Sequence, residues 1–183
     1  SIDVLSGGRL TVGIGVGYIA AELAALGATL ADRGAMTDEH VAAMRALWAQ
    51  RDEPFDGRWA SFAGVLQSPP PVQRPAPPIV VGGHAPAALR RAATIGDGWF
   101  GWGLDVGATT AALAALRRAC DEVGRDPATL EITITPPGRC ERSELERYAA
   151  AGVHRLVLQP GSFTGDEIDD VIEHAAAELI GAS

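Results

Sequence analysis

The sequence predicts an α/β fold on the plan of a (β/α)8 barrel, with about five β/α units present. Short β-rich runs alternate with amphipathic helical stretches, which favours a parallel sheet. In the first and fourth runs one face is aliphatic. The other is small or polar: Thr11, Gly13 and Gly15 in one run, Glu131, Thr133 and Thr135 in the other. That asymmetry suits strands with one face on helices and one looking into a barrel, whereas a doubly wound sheet is more often apolar on both faces. The chain has 183 residues, room for a single domain over 1–183. A whole barrel typically takes about 250, so about three units are expected to be missing.

The first strand is expected over Arg9 to Gly15, with Leu10, Val12, Ile14 and Val16 on one face. A helical stretch follows from about Ile19 to Leu26 and stops near Gly27. A second helix is expected from about Thr37 to Ala49, with Val41, Met44, Leu47 and Trp48 as its apolar stripe. Residues 52–78 form an excursion. Phe55-Asp56-Gly57-Arg58-Trp59 carries an Asp-Gly hairpin signal. The prolines at 69–71, 75, 77 and 78 then deny the chain both helix and central strand.

The second strand is Ile79-Val80-Val81, ending in Gly82-Gly83, before a helix from Pro86 to about Ile95. The third strand spans Gly98 to Trp102, and its helix runs from about Val106 to Val123. The fourth is Leu130 to Thr135, and its helix opens on a capping-box pattern at Ser143-Glu144-Leu145-Glu146. The fifth is Arg155 to Gln159. The last helix opens on Thr164-Gly165-Asp166-Glu167 and should turn Ile168, Val171, Ile172, Ala175 and Leu179 inward.

Composition removes several functions. Basic residues number 15 against 23 acidic, a net charge of -8, which argues against a phosphate-backbone partner. Every basic residue is arginine, so Schiff-base and P-loop lysine mechanisms are excluded. Cys120 and Cys140 are read as free thiols, neither a metal site nor a disulfide framework. No metal spacing and no Ser-His-Asp order stands out. No apolar stretch reaches the roughly 18 residues of a membrane span, and Ser1-Ile2-Asp3-Val4-Leu5 does not read as a signal peptide. A cytoplasmic place is expected. His40, His154 and His174 are expected at solvent.

In a barrel, functional groups collect at the carboxyl ends of the strands. Gly13-Ile14-Gly15-Val16-Gly17-Tyr18 leaves inward volume that a flat ring could occupy. Gly82-Gly83-His84-Ala85-Pro86 turns a strand into a helix. Pro86 suits the first helical position, and no small side-chain oxygen caps the helix. Its first amides and dipole suit a phosphate there, with water or a loop carbonyl as the plain alternative. Gly98-Trp99-Phe100-Gly101-Trp102 could wall a pocket for a planar ligand, or could simply pack. Thr135 and Gln159 are further candidate contacts, while Asp97 reads as a turn residue. Sparse catalytic groups beside a glycine- and aromatic-lined pocket suggest that a cofactor carries the reaction.

The runs Leu5-Ser6-Gly7-Gly8-Arg9-Leu10-Thr11-Val12-Gly13-Ile14-Gly15-Val16-Gly17-Tyr18, Phe55-Asp56-Gly57-Arg58 and Pro71-Val72-Gln73-Arg74-Pro75 into Pro78-Ile79-Val80-Val81-Gly82-Gly83 resemble the bacterial luciferase-like monooxygenase family. Ala87-Ala88-Leu89-Arg90-Arg91-Ala92-Ala93 and Gly96-Asp97-Gly98-Trp99 extend the resemblance over essentially the whole chain. It implies barrel strands four to eight and an oxidoreductase moving hydride between coenzyme F-420, or FMN as second choice, and an organic substrate. By the resemblance, Gly15, Val16, Gly17, Gly82, Gly83, His84 and Ala85 would bind the cofactor. Tyr18, Trp99 and Trp102 would line the substrate pocket. The family commonly has serine where Ala85 stands, and some deazaflavin dehydrogenases place a catalytic glutamate where Tyr18 stands. The resemblance assigns no catalytic residue to this chain. A homo-oligomer, or pairing with an N-terminal segment, is the expected assembly. The rival readings are a non-catalytic cofactor-binding or assembly module and a phosphate-substrate barrel enzyme.

Overall fold

The computed structural model describes residues 1–50, 52–162 and 164–180. The chain packs as two compact units, one up to Ile79 and one from Val80 onward.

The first unit begins with α1 (Ile2–Leu5) and β1 (Val12–Ile14). The strand is shorter than expected because Arg9 is held back towards α1: its N–H donates to Ser6 Oγ and its Nε to the Ser6 carbonyl. Val12 N–H donates to the Pro78 carbonyl at 2.8 Å. Next come α2 (Ala20–Ala25) and α3 (Arg33–Trp48). The second helix starts at Arg33 rather than Thr37, because Thr37 Oγ1 donates to the Arg33 carbonyl from inside the helix. Gly27, at φ +72°, ends the α2 segment as expected.

The hairpin of β2 (Phe55–Asp56) and β3 (Ser61–Phe62) pairs antiparallel, Phe55 against Phe62. Its loop is clamped by Glu39 of α3, whose carboxylate accepts from the N–H groups of Arg58, Trp59 and Ala60. Burial works against that charge, but the Trp59, Ala60 and Arg58 donors and the nearby His40 charge outweigh it and hold the Glu39 carboxyl below its ordinary value. The proline connector forms neither helix nor strand. Asp3 secures it by accepting from the N–H groups of Val72 and Gln73 and from Gln73 Nε2.

In the second unit, β4 (Ile79–Gly82, all but its first residue), β5 (Gly98–Trp102), β6 (Glu131–Thr135) and β7 (Arg155–Leu156) lie side by side, each pair parallel. The connecting helices are α4 (Pro86–Ile95), α5 (Val106–Glu122) and α6 (Arg142–Ala151), with α7 (Gly165–His174) after β7. In register, Val81, Trp99 and Ile132 share one face, with Gly101 and Ile134. Those side chains are buried. Gly82, Phe100, Thr133, Trp102 and Thr135 share the opposite face. Helix α4 packs on β5 and α5, and α5 on α6.

Helix ends explain the misplaced boundaries. Helix α6 starts at Arg142, because Glu144 reaches back to the Glu141 N–H, so Ser143 is not the cap. The last helix starts where expected, with Thr164 as its N-cap, although Glu167 accepts from the Ser162 N–H instead of closing the box. The α7 stripe also differs from expectation. Ile168 and Ile172 are exposed, and His174 is buried instead. Both ring nitrogens of His174 are engaged, which holds that residue inward. The chain then widens into a π-helical turn over Ala175–Ile180.

Candidate functional site

Each strand of the second unit ends in a turn that carries a polar or aromatic group. After β4, Gly82-Gly83 leads into α4 with Gly83 at φ +119°. A Cβ there would lie 3.1 Å from the Ala88 methyl. The turn is therefore built for glycine. Ala85 is the N-cap, at φ −65° and ψ 149°, and no side chain caps the helix. The Ala88 and Leu89 N–H groups donate to the Ala85 carbonyl. Among the described residues, the N–H groups of His84, Ala85 and Ala87 meet no acceptor. Residues 84–87 are exposed, so these three donors face open solvent at the positive end of α4.

The His84 ring has another partner. Its Nε2 accepts from the Trp102 N–H at 3.1 Å. The Trp102 indole in turn donates from Nε1 to Gln159 Oε1 at 3.1 Å. One chain of contacts thus joins the ends of β4 and β5 to the loop after β7. Trp102 stands 60% exposed. The structure places Trp99 on the opposite face of β5, with 0% exposure. Its Nε1 donates to the Gly83 carbonyl at 2.8 Å. Trp99 therefore braces the glycine turn from behind and presents no ring surface to a substrate. Thr135 is buried at the end of β6.

Trp102 and Gln159 also border a cavity of about 680 Å³. It is walled by Pro136, Pro137, Leu158 and Val171, with Arg139, Asp170 and His174 as its polar corner. Sequence reasoning missed that corner, because no spacing signal ties Arg139 to a histidine 35 residues away. Cys140 borders the same cavity, and burial, with the Glu144 and Glu141 charges, pushes its thiol up, which disfavours the thiolate.

In the first unit the glycine face of β1 is open, and nothing lies within 4 Å of a Cβ built at Gly13 or Gly15. Gly17 sits at φ +74°. Val16 borders a hollow of about 350 Å³ with Leu23, Leu26, Met36 and His40. Tyr18 is 84% exposed. Among the described residues, no helix is long and apolar enough to cross a membrane.

A model of the luciferase-like monooxygenases matches residues 1–178. The chain belongs to the luciferase-like monooxygenase family. An uncharacterised protein of Mycobacterium tuberculosis is 29% identical over 181 residues, 98% of this chain and 62% of that relative. The chain thus spans less than two thirds of that relative's length. The FMNH(2)-dependent dimethylsulfone monooxygenase of Pseudomonas putida is 31% identical over 103 residues, 55% of this chain and 28% of that enzyme.

Among solved structures, the monooxygenase RslO1 from Streptomyces bottropensis superposes with a TM-score of 0.61 at 25% identity, over 95% of this chain and 51% of that one. An F-420-dependent secondary alcohol dehydrogenase superposes at 0.74 and 17% identity, over 96% and 71%. The latter likeness concerns the fold. The α/β architecture of this luciferase-like family is the fold class expected from the strand faces.

Proposed function

We propose that this chain is the cofactor-holding part of a luciferase-like oxidoreductase, taking the phosphate of coenzyme F-420, or of FMN as second choice, at the β4–α4 turn. The supporting observation is the trio of unpartnered N–H groups at His84, Ala85 and Ala87, exposed at the start of α4. Gly82 and Gly83 let the backbone approach the anion closely. Trp99 holds the Gly83 carbonyl, and His84 holds the Trp102 backbone. In this reading Trp102 borders the organic substrate. The bound cofactor supplies a two-electron hydride carrier. The residues named here bind, orient and exclude water.

The test exploits Ala85. Its φ of −65° already suits proline, so Ala85→Pro deletes one donor without breaking a bond among the described residues. Ala85→Ser adds a hydroxyl. Fluorescence titration of the full chain with F-420 and with FMN should show micromolar binding of one of them. That binding should weaken about tenfold in Ala85→Pro and tighten in Ala85→Ser, the scale of one hydrogen bond to a charged group. No binding of either cofactor at high micromolar concentration overturns the proposal, as does an unaffected Ala85→Pro. Hydride transfer in the same samples separates an enzyme from a binding module. Native mass reads the expected homo-oligomer.

A further inference from the structure

The cavity at the ends of β5, β6 and β7 has a polar corner that the cofactor reading leaves unused. Arg139 Nη2 lies 2.9 Å from His174 Nδ1, and His174 Nε2 lies 2.7 Å from the Cys140 carbonyl. A guanidinium can only donate and a carbonyl can only accept. His174 therefore accepts at Nδ1 and donates at Nε2, and its ring, more than nine-tenths buried, fixes the Arg139 fork from behind. Asp170 reaches Arg139 Nη1 only at 3.4 Å, with the two side chains 72% and 56% exposed. Such a pair is screened by water and easily replaced.

We propose that this cavity binds a carboxylate-bearing organic molecule, its carboxylate on Arg139 and its apolar body against Pro136, Pro137, Leu158 and Trp102. One guanidinium matches one planar carboxylate through two parallel hydrogen bonds. Glu167 and Asp170 border the same space, so a dianion such as a phosphate monoester meets about twice the repulsion that a monoanion does. The volume of about 680 Å³ takes a bicyclic molecule with room beside it. Arg139 is thus a specificity-determining residue, and His174 a positioning residue behind it. The proposal deepens the reading that this face takes the substrate, but its test needs no cofactor.

The experiment is calorimetric titration of the full chain with 1-naphthylacetate, 1-naphthylacetamide and 1-naphthyl phosphate. The acetate should bind about tenfold more tightly than its uncharged amide, the scale of one charge-assisted pair, and more tightly than the phosphate. Arg139→Gln should abolish the preference for acetate while leaving amide affinity unchanged. Asp170→Asn, which removes the internal competitor, should widen it. Equal affinities in the wild type, a preference that survives Arg139→Gln, tighter phosphate binding, or no binding of any probe at millimolar concentration overturns the proposal. None of these outcomes alters the F-420 and FMN titrations, so the two readings fail separately.

Discussion

Replacing Gly83 with alanine strikes the candidate phosphate turn at its most constrained point. The backbone there sits at φ +119°, beyond the left-handed well that other residues visit. Holding a side chain in such a region costs of the order of 1–3 kcal/mol. The new Cβ would also lie 3.1 Å from the Ala88 methyl. That methyl is buried in the first turn of α4 and cannot swing aside. Strain and crowding together should cost about 2–3 kcal/mol, which for a chain of this length lowers Tm by roughly 5–10 °C. Gly165→Ala is the internal control. It lies at the start of α7 with nothing within 4 Å of a built Cβ, so it should leave stability unchanged or raise it by up to about 1 kcal/mol. Urea denaturation followed by tryptophan fluorescence compares the three proteins. A Gly83→Ala protein within about 0.5 kcal/mol of wild type, below the smallest strain cost expected, would refute the claim that this turn demands glycine.

Tyr148 donates its hydroxyl to the Leu104 carbonyl at 2.7 Å, and burial foremost, with the nearby Cys140, Glu144 and Asp105 charges, pushes its phenol up to about 12. Because the folded value is raised, this stabilisation is complete below pH 10 and disappears as pH climbs through 12. Over that window wild type should lose up to about 3 kcal/mol relative to Tyr148→Phe, and pH-dependent urea midpoints that run parallel would contradict it. Glu39 has the opposite sign. Its carboxyl is held below the ordinary 4.5, so its stabilisation is present above that pH and fades on acidification. Melting curves from pH 7 to pH 3 should show wild type converging on Glu39→Gln, and a constant gap would count against the clamp. Arg125 Nη1 donates to the Gly96 carbonyl at 2.6 Å and the Ala93 carbonyl at 3.2 Å, closing the end of α4. Arg125→Ala should cost about 1.5–3 kcal/mol in urea denaturation, and an unchanged midpoint would show that water replaces it.

Local signals placed much of the fold. Pro86 at the first turn marked the start of α4, and the run Gly98 to Trp102 matches β5 residue for residue. Glycine and proline act through their own backbones, so their effects survive without knowledge of neighbours. Boundaries failed where a distant or backward-reaching side chain decided them, as Glu144 does for α6 and Thr37 does inside α3. The Asp-Gly hairpin was legible, but its Glu39 clamp lies 19 to 21 positions earlier in the chain. The same limit hid the Arg139–His174 pair, because only the crossover through β7 brings the two together. At the β4–α4 turn the absence of a capping oxygen was visible in the sequence. The service of Trp99 as a brace was not, since a tryptophan cluster does not announce which ring turns inward.

The pleat of β5 separates two jobs that lie three residues apart. Anyone reshaping the cavity by mutagenesis has one position of this strand to work with, 102, while 99 and 101 lie on its buried face. A one-residue deletion between the tryptophans would throw both rings to the same side. Bracing and lining would then compete for a single surface.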